Sequence, residues 1–183
     1  MLRRGEKYLQ EKYPGYTLNI LTFERANTFT PWAVLRFQYK DSDVFKAFVM
    51  PKEGENSITD TFYTFFLQPK YDAMVENIFL KMGLRLRSKT DFPNAVGREL
   101  DASADVASLL EKMPELPRDT QLFLFGGEES TNKEMVELVI REHGLYGSYT
   151  LYCLGDADGG SMDELLAGRG QYTRHRFNCF KES

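Results

Sequence analysis

From Tyr8 to Met82 the chain runs in one order: the end of a charged helix, three aromatic-rich strands, then a long apolar helix. That order constrains the fold more than any single motif. Alternating strands joined by short polar links pair antiparallel, and their apolar face needs a helix to cover it. Residues 2 to 13 read as a helix with Leu2, Leu9 and Tyr13 near one face, stopped by Pro14 and Gly15. TLNILTFER alternates, sending Leu18, Ile20 and Thr22 one way and Asn19, Leu21 and Phe23 the other. After a turn-rich break from Ala26 to Pro31, WAVLRFQYK sets Trp32, Val34, Arg36 and Gln38 opposite Ala33, Leu35, Phe37 and Tyr39. The polar link Lys40-Asp41-Ser42-Asp43 joins it to VFKAFVMP as a hairpin. Thr59 or Asp60 is then expected to cap a helix carrying Phe62, Phe65, Phe66, Met74, Val75, Ile78, Phe79 and Met82, with Pro69 imposing a kink or opening a second helix.

Beyond Leu84 the elements shorten. LRLRS and QLFLF read as strands, DFPNAVGREL as a loop, and ADVASLLEKM as a short amphipathic helix. A capping box at Thr131 and Glu134 predicts a helix that ends at Gly144, SYTLYCL a strand, a second capping box at Ser161 and Glu164 a helix over MDELLAG, and QYTRHRFNCF a last strand. The predicted class is therefore α+β: helices packed on a curled antiparallel sheet in residues 1–90, and a small α/β layer with helices on one face in residues 91–183. No linker of low complexity separates the halves, so one continuous domain is the alternative.

Residues 1–82 resemble a known family. KYLQEKYPGY with its Lys12-Tyr13-x-Gly15 turn, the alternating strands, and ITDTFYTFFLQPKY with its Asp60-x-x-Tyr63 step are similar to the cystatin-like modules of envelope proteins and lipoproteins of Gram-positive bacteria. The resemblance implies an extracytoplasmic, non-enzymatic domain, and with it a native start upstream of Met1 and a Cys153–Cys179 bridge. It brings no catalytic residues.

Fourteen Phe, ten Tyr and one Trp in 183 residues supply rings that bury about 150–250 Å² each, enough for a core without disulfides or metal. No stretch approaches the ~20 apolar residues of a membrane span, and the basic N-terminus has no apolar run behind it. The net charge of −4 divides unevenly: residues 1–90 hold 14 Lys and Arg against 10 Asp and Glu, residues 91–183 hold 9 against 17. Basic and acidic residues are interleaved, as in Glu6, Lys7, Glu11 and Lys12, so the sequence lacks a nucleic-acid footprint and reads as a solvated surface.

Few residues point to chemistry. Cys153 and Cys179 form either one bridge in an oxidising compartment or two buried thiols in a reducing one. GDADGGSMDE fails as a calcium loop from Asp156, because Gly160, Ser161 and Ala167 stand at ligand, glycine and glutamate positions; a turn and a helix cap account for it. Gly126 and Gly127 lead into Glu128 and Glu129, which repel phosphate. His143 suits a helix C-terminus. His175 and Cys179 lie about 13 Å apart along one strand, beyond the reach of a base and a nucleophile. Arg174, Arg176 and Lys181 on the last strand alternate as Arg85 and Arg87 do on theirs, and adjacent strands would place four guanidinium groups on one face for a carboxylate, a phosphate or an acidic partner. No catalytic residue, metal or cofactor is expected. The favoured function is a non-enzymatic binding or interaction domain with a protein as partner. The alternatives are a small-ligand binder or enzyme using a concave sheet with Arg174, His175, Arg176, Arg85 and Arg87, and a cytosolic accessory or immunity-type protein that binds a partner through its acidic half.

Overall fold

The computed structural model describes residues 1–52, 54, 57–126, 129–155 and 160–180, the side chains at 108 and 129–132 excepted. The elements run α1 (Leu2–Lys12), β1 (Leu18–Glu24), β2 (Ala33–Tyr39), β3 (Val44–Val49), β4 (Ile58–Asp60), α2 (Tyr63–Lys81), β5 (Arg85–Asp91), α3 (Val106–Lys112), β6 (Asp119–Phe125), α4 (Glu129–Glu142), β7 (Gly147–Cys153), α5 (Met162–Ala167), a 3-10 turn (Gly168–Gln171) and β8 (Thr173–Cys179). The class is α+β, with two four-stranded sheets ordered β1-β2-β3-β4 and β5-β6-β7-β8. The chain forms two compact units, one of Met1–Leu67 with Asn94–Lys112 and one of Gln68–Pro93 with Met113–Ser183. Their division falls within α2 one residue before Pro69, and α2 continues through that proline as one helix.

In the first unit every strand pair is antiparallel and the sheet is open. Ala33, Leu35 and Phe37 of β2 and Ala47 and Val49 of β3 share one fully buried face, as alternation predicts. Tyr8 and Leu9 of α1 and its C-cap Tyr13 pack into the same core. Phe62 sits at its centre, edge-on to Tyr13 and to Phe45 at 4.9 Å each and to Phe37 at 5.7 Å. Gly5 explains how α1 comes so close: a Cβ there would lie 3.0 Å from Leu35 and 3.1 Å from Val49.

β1 departs from simple alternation. A bulge between Ile20 and Thr22 moves Thr22 opposite Arg36 and Phe23 opposite Leu35, so Phe23 joins the core side while Leu21 is the extra residue. Thr59 and Asp60 do not cap a helix as expected. They lie in β4, and the helix begins three residues later, because Asp60 is claimed by tertiary contacts.

Asp60 is wholly buried and accepts four hydrogen bonds: from the Tyr13 hydroxyl and the Phe62 amide on Oδ1 at 2.8 Å each, and from the Tyr8 hydroxyl at 3.0 Å and Lys12 Nζ at 2.7 Å on Oδ2. Its backbone exchanges two 2.9 Å hydrogen bonds with Val96. Lys12, itself buried, also donates to the Gly97 carbonyl and lies 5.5 and 5.1 Å from the ring centres of Tyr8 and Tyr13. Burial pulls the Lys12 ammonium pKa down and the Asp60 charge opposes that shift. Burial, with the Asp60 charge second, pushes both tyrosine hydroxyls up, which keeps them donors.

In the second unit β5 and β6 are antiparallel, β6 and β7 parallel across α4, and β7 and β8 antiparallel. The parallel pair requires a crossover, and α4 supplies it. The Ser88 hydroxyl donates to the Asp72 carbonyl of α2, and the Tyr149 hydroxyl to the Leu145 carbonyl after α4, so both helices lie on the face shared by Ser88, Leu122, Leu151 and Tyr149. Helices were expected on one face only, yet α5 covers part of the other, its Leu165 packing with Phe123 and Tyr152. The Ser161–Glu164 capping box that opens α5 is present in both directions. α4 begins at Glu129 rather than Thr131.

Two stability predictions follow from the first unit. Replacing Asp60 by Ala leaves the Lys12 ammonium buried without its counter-charge, and should lower the unfolding free energy by about 3–5 kcal/mol in urea titrations. Gly5→Val forces branched methyls into Leu35 and Val49, with an expected cost of about 1–3 kcal/mol in the same assay.

Candidate functional site

The sheet of the second unit carries a polar surface, and its register says which side chains share it. Cross-strand partners point to the same side, so Lys89, Gln121, Thr150 and Arg176 form one row and Asp91, Asp119, Ser148 and Asn178 the next. The preceding row, Arg87, Phe123, Tyr152 and Arg174, turns apolar at its centre, where α5 covers Phe123 and Tyr152. Because α5 is only six residues long, the two polar rows stay open. They form a cleft of about 520 Å³ whose lining includes Asp119, Gln121, Ser148, Thr150, Arg169, Arg176 and Asn178.

The cations in this cleft are held differently. Arg169 comes from the 3-10 turn after α5, and its guanidinium is oriented by a 2.8 Å hydrogen bond to the Leu166 carbonyl and one of 3.1 Å to the Gln121 side chain. Arg176 is exposed on edge strand β8 and has no hydrogen-bond or ion-pair partner among the described residues. At the far end Asp119 stands directly opposite Asp91 across the β5–β6 pair, and neither carboxylate has a cationic partner among the described residues. Like charges in that relation repel. The arrangement can take charged groups and donate or accept hydrogen bonds between them.

The sequence-predicted residues separate. β5 and β8 are the two edges of the sheet, so Arg85 and Arg87 do not join Arg174 and Arg176. Arg87 pairs with Glu76 at 3.4 Å, Arg85 lies 5.8 Å from the Phe125 ring, and both line a different cleft of about 300 Å³ with Glu76, Asn77 and Leu80. His175 shares the row of Ser88, Leu122 and Leu151 and therefore faces away from Arg174 and Arg176. Cys153 pairs with Thr173 and Cys179 with Gly147, at opposite ends of the β7–β8 ladder and about 20 Å apart. Neither cysteine is in a disulfide, so the Cys153–Cys179 bridge is not formed. The residues of the calcium-like loop at 156–159, Gly127, Glu128 and Lys181 lie outside the described residues. Arg169, which sequence reading passed over, had one signal: it lies in the Gly168-Arg169-Gly170 turn just after a capped helix.

Other polar groups of this unit are buried. Arg118 is 2% exposed and its Nη2 donates to the Pro114 carbonyl at 2.6 Å, whereas Nε and Nη1 have no hydrogen-bond partner among the described residues. Its guanidinium lies 5.5 Å from the Tyr71 ring centre. Asp72 of α2 is partly buried, and its Oδ1 has no hydrogen-bond partner among the described residues. Desolvation pushes its carboxyl pKa up to about 7, with Glu76 adding to the shift and Thr90 and Lys89 opposing it. Among the described residues no group of three His, Cys, Asp or Glu is placed to hold a metal ion, and no helix is long and apolar enough to cross a membrane. No family model, curated protein or solved structure matches the chain.

Asp72 generates a pH prediction. Between about pH 4 and about pH 7 the folded chain keeps a proton that the unfolded chain has lost, so this group's contribution to stability falls as the pH rises through that window. Asp72→Asn removes that loss. The variant should match the parent near pH 4 and exceed it by about 1–2 kcal/mol at pH 8, a figure discounted for partial solvent screening, in denaturant titrations across the range.

Proposed function

We propose that this chain is a non-enzymatic binding protein in which the first unit is a cystatin-like scaffold and the open sheet face of the second is the recognition surface. One observation carries the reading: Arg176, a guanidinium with no side-chain partner among the described residues, lines a cleft with the oriented Arg169 and the uncharged Gln121, Ser148, Thr150 and Asn178. Guanidinium groups present planar forks of donors to oxyanions, and desolvation in a cleft strengthens such contacts. The scaffold role of the first unit is supported by the order of helix and antiparallel strands and by the saturation of its most buried carboxylate. Binding rather than turnover is supported by how the reactive side chains are distributed: His175 faces the helix-covered side, and the two cysteines lie at opposite ends of the β7–β8 ladder. An extracytoplasmic placement loses the support that a disulfide would have given it.

The reading is tested by amide chemical shifts of the full chain during titration with acetate, inorganic phosphate, ethylamine and glycylglycine to about 10 mM. Shifts should concentrate at Gln121, Ser148, Thr150 and Asn178, weaken with added salt, and drop at least about tenfold in affinity in the Arg169→Ala, Arg176→Ala double variant. Those amides staying still throughout the panel would reject the recognition surface.

A further inference from the structure

The cleft is not uniformly basic, and its charge pattern narrows the ligand. Arg169 is anchored over Gln121, and Arg176 projects from β8 in the same row, so the two guanidinium groups flank Thr150 from opposite sides. One row along, Asp119 sits two residues from Gln121 on β6, about 7 Å away. From Asp119 the Thr150 position is about 8 Å off and the Arg176 position about 12 Å, given a strand spacing of about 4.8 Å. Opposite charges are thus fixed to a rigid sheet and neither Arg176 nor Asp119 is neutralised by the other. Ser148 and Asn178 lie in the row of Asp119, with Thr150 beside them in the next row, and all three can hydrogen-bond a polar chain laid along the sheet. A purely anionic ligand would leave Asp119 facing a negative group, with Asp91 behind it adding to the repulsion.

We infer that the cleft takes a short zwitterionic peptide, its carboxylate between Arg169 and Arg176 and its ammonium at Asp119. An extended chain advances about 3.3–3.6 Å per residue, so two or three residues separate the terminal charges by the distance the cleft provides. The backbone amides between them meet Ser148, Thr150 and Asn178. The inference rests on the open face being the recognition surface, and it adds the ligand class.

The experiment titrates the full chain with trialanine, with N-acetyl-trialanine and with trialanine amide, following the amides of Gln121, Ser148 and Thr150. Trialanine should bind about tenfold more tightly than either blocked form. Arg176→Ala should weaken trialanine to the level of its amide and leave the amide unchanged, while Asp119→Asn should do the same with respect to the acetylated form. Both positions are exposed, and an unperturbed amide spectrum elsewhere verifies each variant's fold. If either variant fails to fold, the two blocked peptides on the parent chain decide the matter alone. Equal affinity for all three peptides, or no saturation by trialanine near about 10 mM, overturns the inference. Acetate or phosphate moving these amides while trialanine binds no better overturns the ligand class and leaves the recognition surface standing.

Discussion

The first unit depends on one carboxylate. Asp60 is fully buried, and a buried charge is tolerated only when paired and hydrogen-bonded on every side. Here α1 contributes Tyr8 and Lys12, its C-cap contributes Tyr13, and the start of the next segment contributes the Phe62 amide. Through its backbone Asp60 also holds Val96, and Lys12 reaches the neighbouring Gly97. Three segments distant in sequence are thereby fixed to the end of one short edge strand. Such a cluster adds little net stability over an apolar packing of the same volume, but each partner is intolerable without the others, so it selects one register and rejects the rest. Gly5 permits this geometry by letting α1 settle within van der Waals distance of Leu35 and Val49.

What the sequence disclosed follows from how local each signal is. The alternation of β2 was legible because both faces report independently: Leu35 and Phe37 on the core side, Arg36 and Gln38 on the other. The hairpin at Lys40 to Asp43 and the capping box at Ser161 were legible because their chemistry closes within four residues. Asp60 was misread for the same reason. An Asp a few residues before a helix looks like a cap, and only the fold reveals that Tyr8, Lys12 and Tyr13 arrive to claim it. The bulge in β1 was equally hidden, since period-two alternation carries no sign of an inserted residue until Phe23 is seen opposite Leu35.

The candidate surface was only half legible. Arg176 and its alternation with His175 were readable, but strand order was not, and strand order decides whether Arg85 and Arg87 come near. Placing β5 and β8 at opposite edges breaks the four-arginine cluster. The parallel β6–β7 pair brings Gln121 beside Thr150, and Arg169 reaches Gln121 from a turn that has no strand or helix periodicity to flag it. Sequence reading weights residues by pattern, and a side chain placed by a short turn escapes it.

The two units differ in how they treat polar groups, and the difference bears on where function resides. In the first, the buried carboxylate spends every lone pair on an internal donor, which leaves nothing for a ligand. In the second, among the described residues, Arg118 keeps two guanidinium nitrogens without a hydrogen-bond partner, Asp72 one carboxylate oxygen, and Arg176 its whole head group. Leaving polar groups short of partners costs stability, and proteins that tolerate it concentrate the cost where recognition takes place. Arg118 is enclosed and Asp72 partly buried, so their shortfall lies away from the open sheet face. Arg176 is open to solvent on a rigid strand, where water satisfies it at no cost and a ligand can displace that water. On that ground the sheet face bearing Arg176, and not the more heavily perturbed interior, is the place to look for binding.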